Sequence, residues 1–166
     1  MNYTDTRDNN IKVDLKTAVM GGMNEKTGGL YIPVEFPKLD SSLLNKDPSP
    51  SFRDIAFNMA KPYVEGEIPD DVLAEIIQDA YPFSPKVVPL DSISYALELF
   101  HGPTCAFKDM ALQLLPYLLT VSAGKTVKDT EIVILVATSG DTGKAALEGF
   151  ADVPNTKILV FYPVDG

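Results

Sequence analysis

Cysteine, histidine and tryptophan are almost absent from this 166-residue chain, which has one cysteine, one histidine and no tryptophan. With Cys105 alone, no disulfide can form within the chain, so we expect a reducing, cytoplasmic compartment. One histidine and one cysteine provide no ligand cluster of familiar spacing. The sequence therefore predicts no metal site.

Positive charge and long apolar runs are also scarce. The chain has 14 lysine and arginine residues against 23 acidic residues, which gives a net charge of −9 at pH 7. Such a chain is a poor general partner for nucleic acid or for an anionic membrane surface. No apolar run reaches membrane-spanning length, and the polar start MNYTDTRD does not resemble a signal segment. We therefore expect any anionic ligand to be held locally, by helix N-termini or single lysines.

Residues 1–90 contain most of the prolines and predict a small, mostly helical domain. The helix candidates are Asp14–Met20, a segment that begins at Ser51, and Pro69–Ala80. Ser51 is a good N-cap with Asp54 three residues on, and Pro62 should end or bend that helix. Pro69–Ala80 has the clearest helical spacing of apolar residues. The segment GGLYI at 28–32 is typical of a short strand.

Residues 91–166 alternate between strand and helix patterns, which predicts the start of an α/β domain. The strand candidates are Ser94–Phe100, Glu131–Ala137 and Thr156–Tyr162, and helix candidates begin at about Phe107 and at Lys144. Glu131–Ala137 is a nearly continuous apolar run, typical of a strand covered on both faces in a parallel sheet. Pro116 should clash with the carbonyl of Leu112 and kink or break its helix. The last two strands and their helix predict a βαβ unit.

The loop HGPTCAFKD at 101–109 joins a strand to a helix, where open α/β sheets bind their ligands. Lys108 falls at or just inside the helix start, where a cation opposes the helix dipole at a cost of about 0.3–1 kcal/mol. A neutral amine in such a place is what imine formation requires. The alternative is that Lys108 is an ordinary solvated surface residue.

The loop ATSGDTG at 137–143 follows a buried strand and opens a helix. Thr138 and Ser139 are capping residue types, and the glycines allow close approach of a ligand to the backbone. The helix start favours a carboxylate or a phosphate. An ordinary capped helix start without a ligand explains the same pattern, and the spacing of a Walker loop is absent.

Two other side chains of the first loop are of types that can take part in catalysis. His101 is a candidate general acid or base, but the interpretation that we favour is a loop histidine bonded to the backbone. Cys105 has no evident catalytic partner, so we expect a small packing residue.

The segments ELFHGPTCAFKDMALQ (98–113) and VATSGDTGKAA (136–146) closely resemble the signature blocks of threonine synthases. GGLYIP (28–33), AYPFSPKVVPL (80–90) and VFYPVDG (160–166) are similar to this family too. Two long blocks in the right order make the resemblance specific, and it covers essentially the whole chain.

The resemblance implies a pyridoxal-phosphate (PLP) enzyme that converts O-phospho-L-homoserine and water to L-threonine and phosphate. It implies an α/β fold: an incomplete doubly wound parallel sheet of a fold-type II PLP enzyme lobe, as in the tryptophan-synthase-β-like enzymes. A small, mostly helical N-terminal domain would precede it. The domains would be residues 1–90, the family's N-terminal domain, and residues 91–166, the start of the catalytic domain.

Residue by residue, the resemblance makes Lys108 the Schiff-base lysine, which also moves protons. It assigns the substrate carboxylate to the second loop, at Thr138, Ser139, Gly140, Asp141 and Thr142. Asp141 would also lie near the ring oxygen of the cofactor. Phe107 and Asp109 match positions that support the lysine.

The family's chains are much longer, and no segment here matches the glycine- and asparagine-rich loop for the PLP phosphate. We therefore expect a fragment with little activity alone, which needs the C-terminal part of the enzyme and tends to self-associate. Two alternatives stay open: a threonine-synthase-like phospho-lyase that releases a keto acid, and a non-catalytic binding or assembly module.

Overall fold

A computed structural model of the chain describes residues 1–38, 40–124 and 131–164. The last two residues of the VFYPVDG motif lie outside these ranges. By contact the chain divides into two compact units, Met1–Ile77 with Val121–Thr126, and Gln78–Thr120 with Val127–Gly166. The domain division near residue 90 stays a prediction.

The first unit contains a three-stranded antiparallel sheet, of which the sequence predicted one strand, at 28–32, and not the other two. Its strands are β1 (Tyr3–Asp5), β2 (Lys12–Val13) and β3 (Tyr31–Pro33), in the order β2-β1-β3. Tyr3 pairs with Val13 on one side and with Pro33 on the other. The expectation of a mostly helical N-terminal part therefore omitted a sheet, since strands of two or three residues are too short for a periodic signal.

Asp5 organises the loops around this sheet and is 0% exposed. Its Oδ1 accepts the backbone N–H groups of Arg7 at 2.6 Å and Asp8 at 3.1 Å. Its Oδ2 accepts the hydroxyl of Thr27 at 2.6 Å. A Cβ on Gly29 would lie 2.1 Å from Oδ1, so only glycine fits beside this carboxylate.

The helices of the first 80 residues agree well with those predicted from the sequence. They are α1 (Leu15–Gly21), α2 (Phe52–Val64) and α3 (Asp70–Ala80), with a 3-10 helix at Ser41–Asn45. Ser51 and Asp54 form the expected capping box of α2. That helix continues two residues past Pro62, further than expected. The apolar stripe of α3 is confirmed, since Leu73, Ile76 and Ile77 are buried.

The second unit begins with a hairpin formed by β4 (Lys86–Pro89) and β5 (Tyr95–Glu98). The strands pair antiparallel, from Lys86 opposite Glu98 to Pro89 opposite Tyr95. The strand predicted at Ser94–Phe100 is therefore present but shorter, and its partner β4 was not predicted.

A parallel βαβ unit follows, as predicted: β6 (Ile132–Ala137), α6 (Asp141–Gly149) and β7 (Thr156–Phe161). The register runs from Ile132 opposite Thr156 to Ala137 opposite Phe161. Helix α6 packs against both strands. Alternate residues of β6 remain exposed, with Leu135 at 66%. The expectation that both faces of this strand are covered is therefore not met among the described residues, although the α/β class is confirmed.

Between these strands, the predicted helix break is confirmed. It separates α4 (Asp109–Leu112) from α5 (Leu115–Gly124), whose first turn contains Pro116. Proline is tolerated in a first turn because the N–H group it lacks has no intrahelical partner there. The carbonyl of Leu112 packs closely on Gly149, where a Cβ would lie 2.1 Å from the oxygen.

Over the described residues, no helix is both long and apolar enough to cross a membrane. Within the same ranges, no three His, Cys, Asp or Glu side chains are grouped in a way that could hold a metal ion.

Candidate functional site

Lys108 is the residue from which α4 starts. It has helical backbone angles, φ −60° and ψ −25°, and its carbonyl accepts the N–H groups of Ala111 and Leu112. The side chain is partly buried, and its Nζ lies 4.8 Å from the centre of the Phe107 ring. This placement agrees with the sequence, except that the helix is a single turn rather than a long one.

Asp109, the next residue, is 0% exposed and binds back to the preceding loop. Its Oδ2 accepts the N–H of Thr104 at 2.9 Å, and its Oδ1 accepts the Thr104 hydroxyl at 2.6 Å. A Cβ on Gly102 would lie 2.5 Å from Oδ2, so glycine is required there. The sequence singled out Asp109 only as a family position, and its bonds to the 102–104 turn were missed.

Thr138 directly follows β6, and its side chain binds the turn that leads into α6. Its Oγ1 accepts the N–H groups of Gly140 at 3.2 Å and Gly143 at 3.3 Å. Its own N–H donates to Phe161 on β7 at 3.0 Å. The N-cap position of α6 is Gly140, which has no side-chain cap, so neither Thr138 nor Ser139 is the N-cap residue that its type predicted. Thr138 nevertheless fixes the loop between strand and helix through these bonds.

The rest of the second loop faces outward. Ser139, Gly140, Asp141 and Thr142 are exposed, and α6 begins at Asp141 rather than at Lys144 as expected. Asp141 and Thr142 therefore lie in the first turn of a nine-residue helix. N–H groups of a first turn have no intrahelical acceptor, and the helix dipole favours an anion there.

The two loops belong to elements that are in contact, because α4 packs against α6. An open depression of about 530 Å³ lies between the first loop and α6. It is lined by Pro103, Thr104, Cys105, Lys144, Leu147 and Glu148. The lining of this depression includes neither Lys108 nor the residues of the second loop. The depression therefore lies beside the predicted site residues.

His101 and Cys105 differ from their expectations. His101 Nε2 lies 2.7 Å from Glu98 Oε2, so its partner is a carboxylate and not the backbone. Its ring stacks on Phe100, with centres 4.7 Å apart. Cys105 is exposed and has a left-handed backbone with φ 57°, so the expectation of a buried packing residue is wrong.

Comparisons with known proteins agree with one another. Residues 2–81 match the family described as "Threonine synthase N terminus". The threonine synthase of Pseudomonas aeruginosa is 35% identical, over 98% of this chain and 35% of that protein. The threonine synthase of Escherichia coli is 34% identical, over 98% of this chain and 37% of that protein.

Solved structures extend the likeness to the fold. A crystal structure of PLP-bound threonine synthase from Brucella melitensis matches with a TM-score of 0.88 and 33% identity, over 98% of this chain and 36% of that one. The E. coli threonine synthase structure matches with a TM-score of 0.86 and 33% identity, over 99% of this chain and 37% of that one. The chain thus spans little more than a third of the proteins that it matches. In sequence and in fold, this chain is similar to the N-terminal part of threonine synthases.

Proposed function

We propose that this chain is the cofactor-lysine part of a threonine synthase, which converts O-phospho-L-homoserine and water to L-threonine and phosphate. The observation that carries the proposal is the placement of Lys108. Its amine is partly buried beside Phe107, at the start of a helix that packs against the helix opened by TSGDTG. An amine and an anion-binding helix start on neighbouring elements suit one amino-acid substrate.

The residues present fit the cofactor in part. Lys108 provides the amine to which the PLP aldehyde would be attached, and Asp109 holds the backbone next to it. When bound, PLP supplies an electron sink for carbanion chemistry. The residues that hold the PLP phosphate are not among those that we identify in this chain.

The chain's own side chains would have three tasks. Lys108 would hold the cofactor and carry protons to and from the substrate carbons. Thr138, Ser139, Gly140, Asp141 and Thr142 would receive the substrate carboxylate at the first turn of α6, where helix N–H groups favour an anion. Asp141, exposed in that turn, would place a polar group near the ring oxygen of the cofactor.

The sheet would be part of a doubly wound fold-type II lobe. The parallel β6–β7 pair supports this, because α6 covers one face while Val133, Leu135, Leu159 and Phe161 leave the other apolar and exposed. We assign residues 1–90 to the family's N-terminal domain and 91–166 to the start of the catalytic domain. Full activity would then need the C-terminal part of the enzyme, in the cytoplasm.

The proposal is tested by adding PLP to the purified chain and recording the visible absorption spectrum. We expect the band of PLP attached to a lysine amine, and its loss in Lys108→Ala. Lys157→Ala is the matched control, since Lys157 belongs to the same unit but is paired with Glu131 on the surface at 2.9 Å. A band that survives in Lys108→Ala contradicts the assignment.

Product analysis separates the proposal from its alternatives. In the presence of the C-terminal part of the E. coli enzyme, a threonine synthase yields L-threonine and phosphate from O-phospho-L-homoserine. A phospho-lyase of the alternative kind yields a keto acid and phosphate. A non-catalytic module yields neither product, and its Lys108 does not react with PLP.

A further inference from the structure

We infer that Asp109 and Thr104 together are the positioning residues for Lys108. The inference rests on the proposed role of Lys108 and adds a function for two side chains that do not themselves react. Asp109 follows Lys108 directly in the chain, so any constraint on Asp109 limits where the Lys108 backbone can lie. Thr104 provides that constraint through two hydrogen bonds to one carboxylate, at 2.6 and 2.9 Å.

Helix α4 cannot supply this constraint by itself. It has four residues and ends at Leu112, before the break that precedes α5. So short a helix is not stable on its own, because few hydrogen bonds offset the cost of fixing its backbone. The bonds from Thr104 to the first residue of α4 therefore hold the helix start in place.

The surrounding turn is shaped to receive the carboxylate. Asp109 and Thr104 are both buried, and the N–H of Cys105 closes the turn by donating to Gly102 at 3.1 Å. Gly102 approaches Asp109 so closely that a side chain would overlap the carboxylate. A loop that leaves room only for glycine, and presents a buried hydroxyl and an N–H to one carboxylate, holds that carboxylate in a single orientation.

The first unit also contains a buried aspartate that accepts a threonine hydroxyl beside a close-packed glycine, far from Lys108 in sequence. There the hydroxyl of Thr27 donates to the fully buried Asp5 at 2.6 Å, and Gly29 leaves no room for a Cβ. Thr27→Val and Thr104→Val therefore each remove one hydroxyl bond of the same length to a buried aspartate. Only Thr104→Val should affect Lys108.

Two measurements on the chain test the inference, and one of them needs no PLP. The first is the dissociation constant of PLP by absorption. We expect about a tenfold increase in Thr104→Val, the loss that corresponds to one hydrogen bond to a charged group. The second is the rate at which acetic anhydride acetylates Lys108, measured by peptide mass spectrometry relative to Lys157. We expect the ratio of the two rates to change in Thr104→Val, because the Lys108 backbone is then no longer held in one place.

The controls fix the interpretation. Thr27→Val should change neither the dissociation constant of PLP nor the acetylation rate of Lys108. Thr104→Ser, which keeps the hydroxyl, should have the same values as the unaltered chain. Equal changes in Thr104→Val and Thr27→Val would reduce the Asp109 bonds to a general structural role and overturn the inference. No change in Thr104→Val would overturn it as well.

Failure of the proposed function is distinguishable from failure of this inference. If the unaltered chain does not bind PLP, that result counts against the proposed function, and the acetylation rates alone decide whether Thr104 positions Lys108. If Thr104→Val does not fold, Thr104→Ala replaces it, because alanine deletes the hydroxyl without placing a methyl group against the carboxylate.

Discussion

Thr138 and Gly143 are in close contact at the start of α6. Thr138 Oγ1 accepts the N–H of Gly143 at 3.3 Å, and a Cβ on Gly143 would lie 2.1 Å from Thr138 Cγ2. The side chain that binds the first turn of α6 is therefore the same one that excludes any larger residue at position 143. The shape of the proposed carboxylate loop depends on this pair.

Gly143→Ala should destabilise the chain by about 1–3 kcal/mol, the usual cost of overpacking a filled site. Urea unfolding followed by circular dichroism measures the change. Thr138→Ser removes Cγ2 and keeps the hydroxyl, so the double variant should recover part of the loss. Gly124→Ala is the control, since a Cβ there meets nothing within 4 Å and should cost nothing. Equal stability of Gly143→Ala and Gly124→Ala would refute the packing argument.

Stability should fall in acid in a way that depends on Thr27. The Thr27 hydroxyl, with the backbone N–H of Arg7, holds the pKa of Asp5 below its usual value. A carboxyl whose pKa is lowered by folding stabilises the chain above its unfolded pKa of about 3.9, and this contribution is lost as pH falls through the folded pKa.

The gap in urea midpoint between the unaltered chain and Thr27→Val should therefore be larger at pH 7 than at pH 3. Thr156→Val serves as the comparison, because the Thr156 hydroxyl donates to the carbonyl of Val153 at 2.9 Å and not to a carboxylate. A gap for Thr27→Val that is constant across this range would show that the Asp5 charge is not what Thr27 stabilises.

The exposed face of the β6–β7 pair should make the chain self-associate. Leu135 and Leu159 lie opposite each other in the register, and both are exposed. Contiguous apolar surface of this kind is typical of a face that is covered by another element or molecule. Light scattering over a range of concentrations should show association that Leu135→Lys weakens. Ile93→Lys is the matched control, because Ile93 is exposed in the turn between β4 and β5. Equal effects of both substitutions would exclude this face as the cause.

The sequence predicted best those elements whose pattern is long and regular. Helix α3 has an apolar residue at each buried position, and β6 is a run of apolar residues that pairs with β7 as expected. The break before α5 was also predictable, since Pro116 and Leu112 cannot belong to one straight helix. These features depend on residues that are close together in the sequence, so the sequence alone predicts them.

The rest depends on contacts that a one-dimensional pattern does not contain. Strands β1 and β2 are short, and the hydroxyl of Thr27, 22 residues away in sequence, bonds to Asp5 at the end of β1. The predicted site residues Lys108 and Thr138 were found from their motifs. The hydrogen bonds of Asp109 to Thr104 were not, because only a folded turn brings an acid back onto a threonine five residues earlier.

The proposed function depends above all on Lys108 as the lysine that holds PLP. The most direct test is to incubate the chain with PLP, reduce with borohydride, digest, and locate the phosphopyridoxyl group by mass spectrometry. We predict that the label lies on the peptide that contains Lys108 and is lost in Lys108→Ala, with little on exposed lysines such as Lys157. A label spread evenly over the lysines, or unchanged in Lys108→Ala, would contradict the claim.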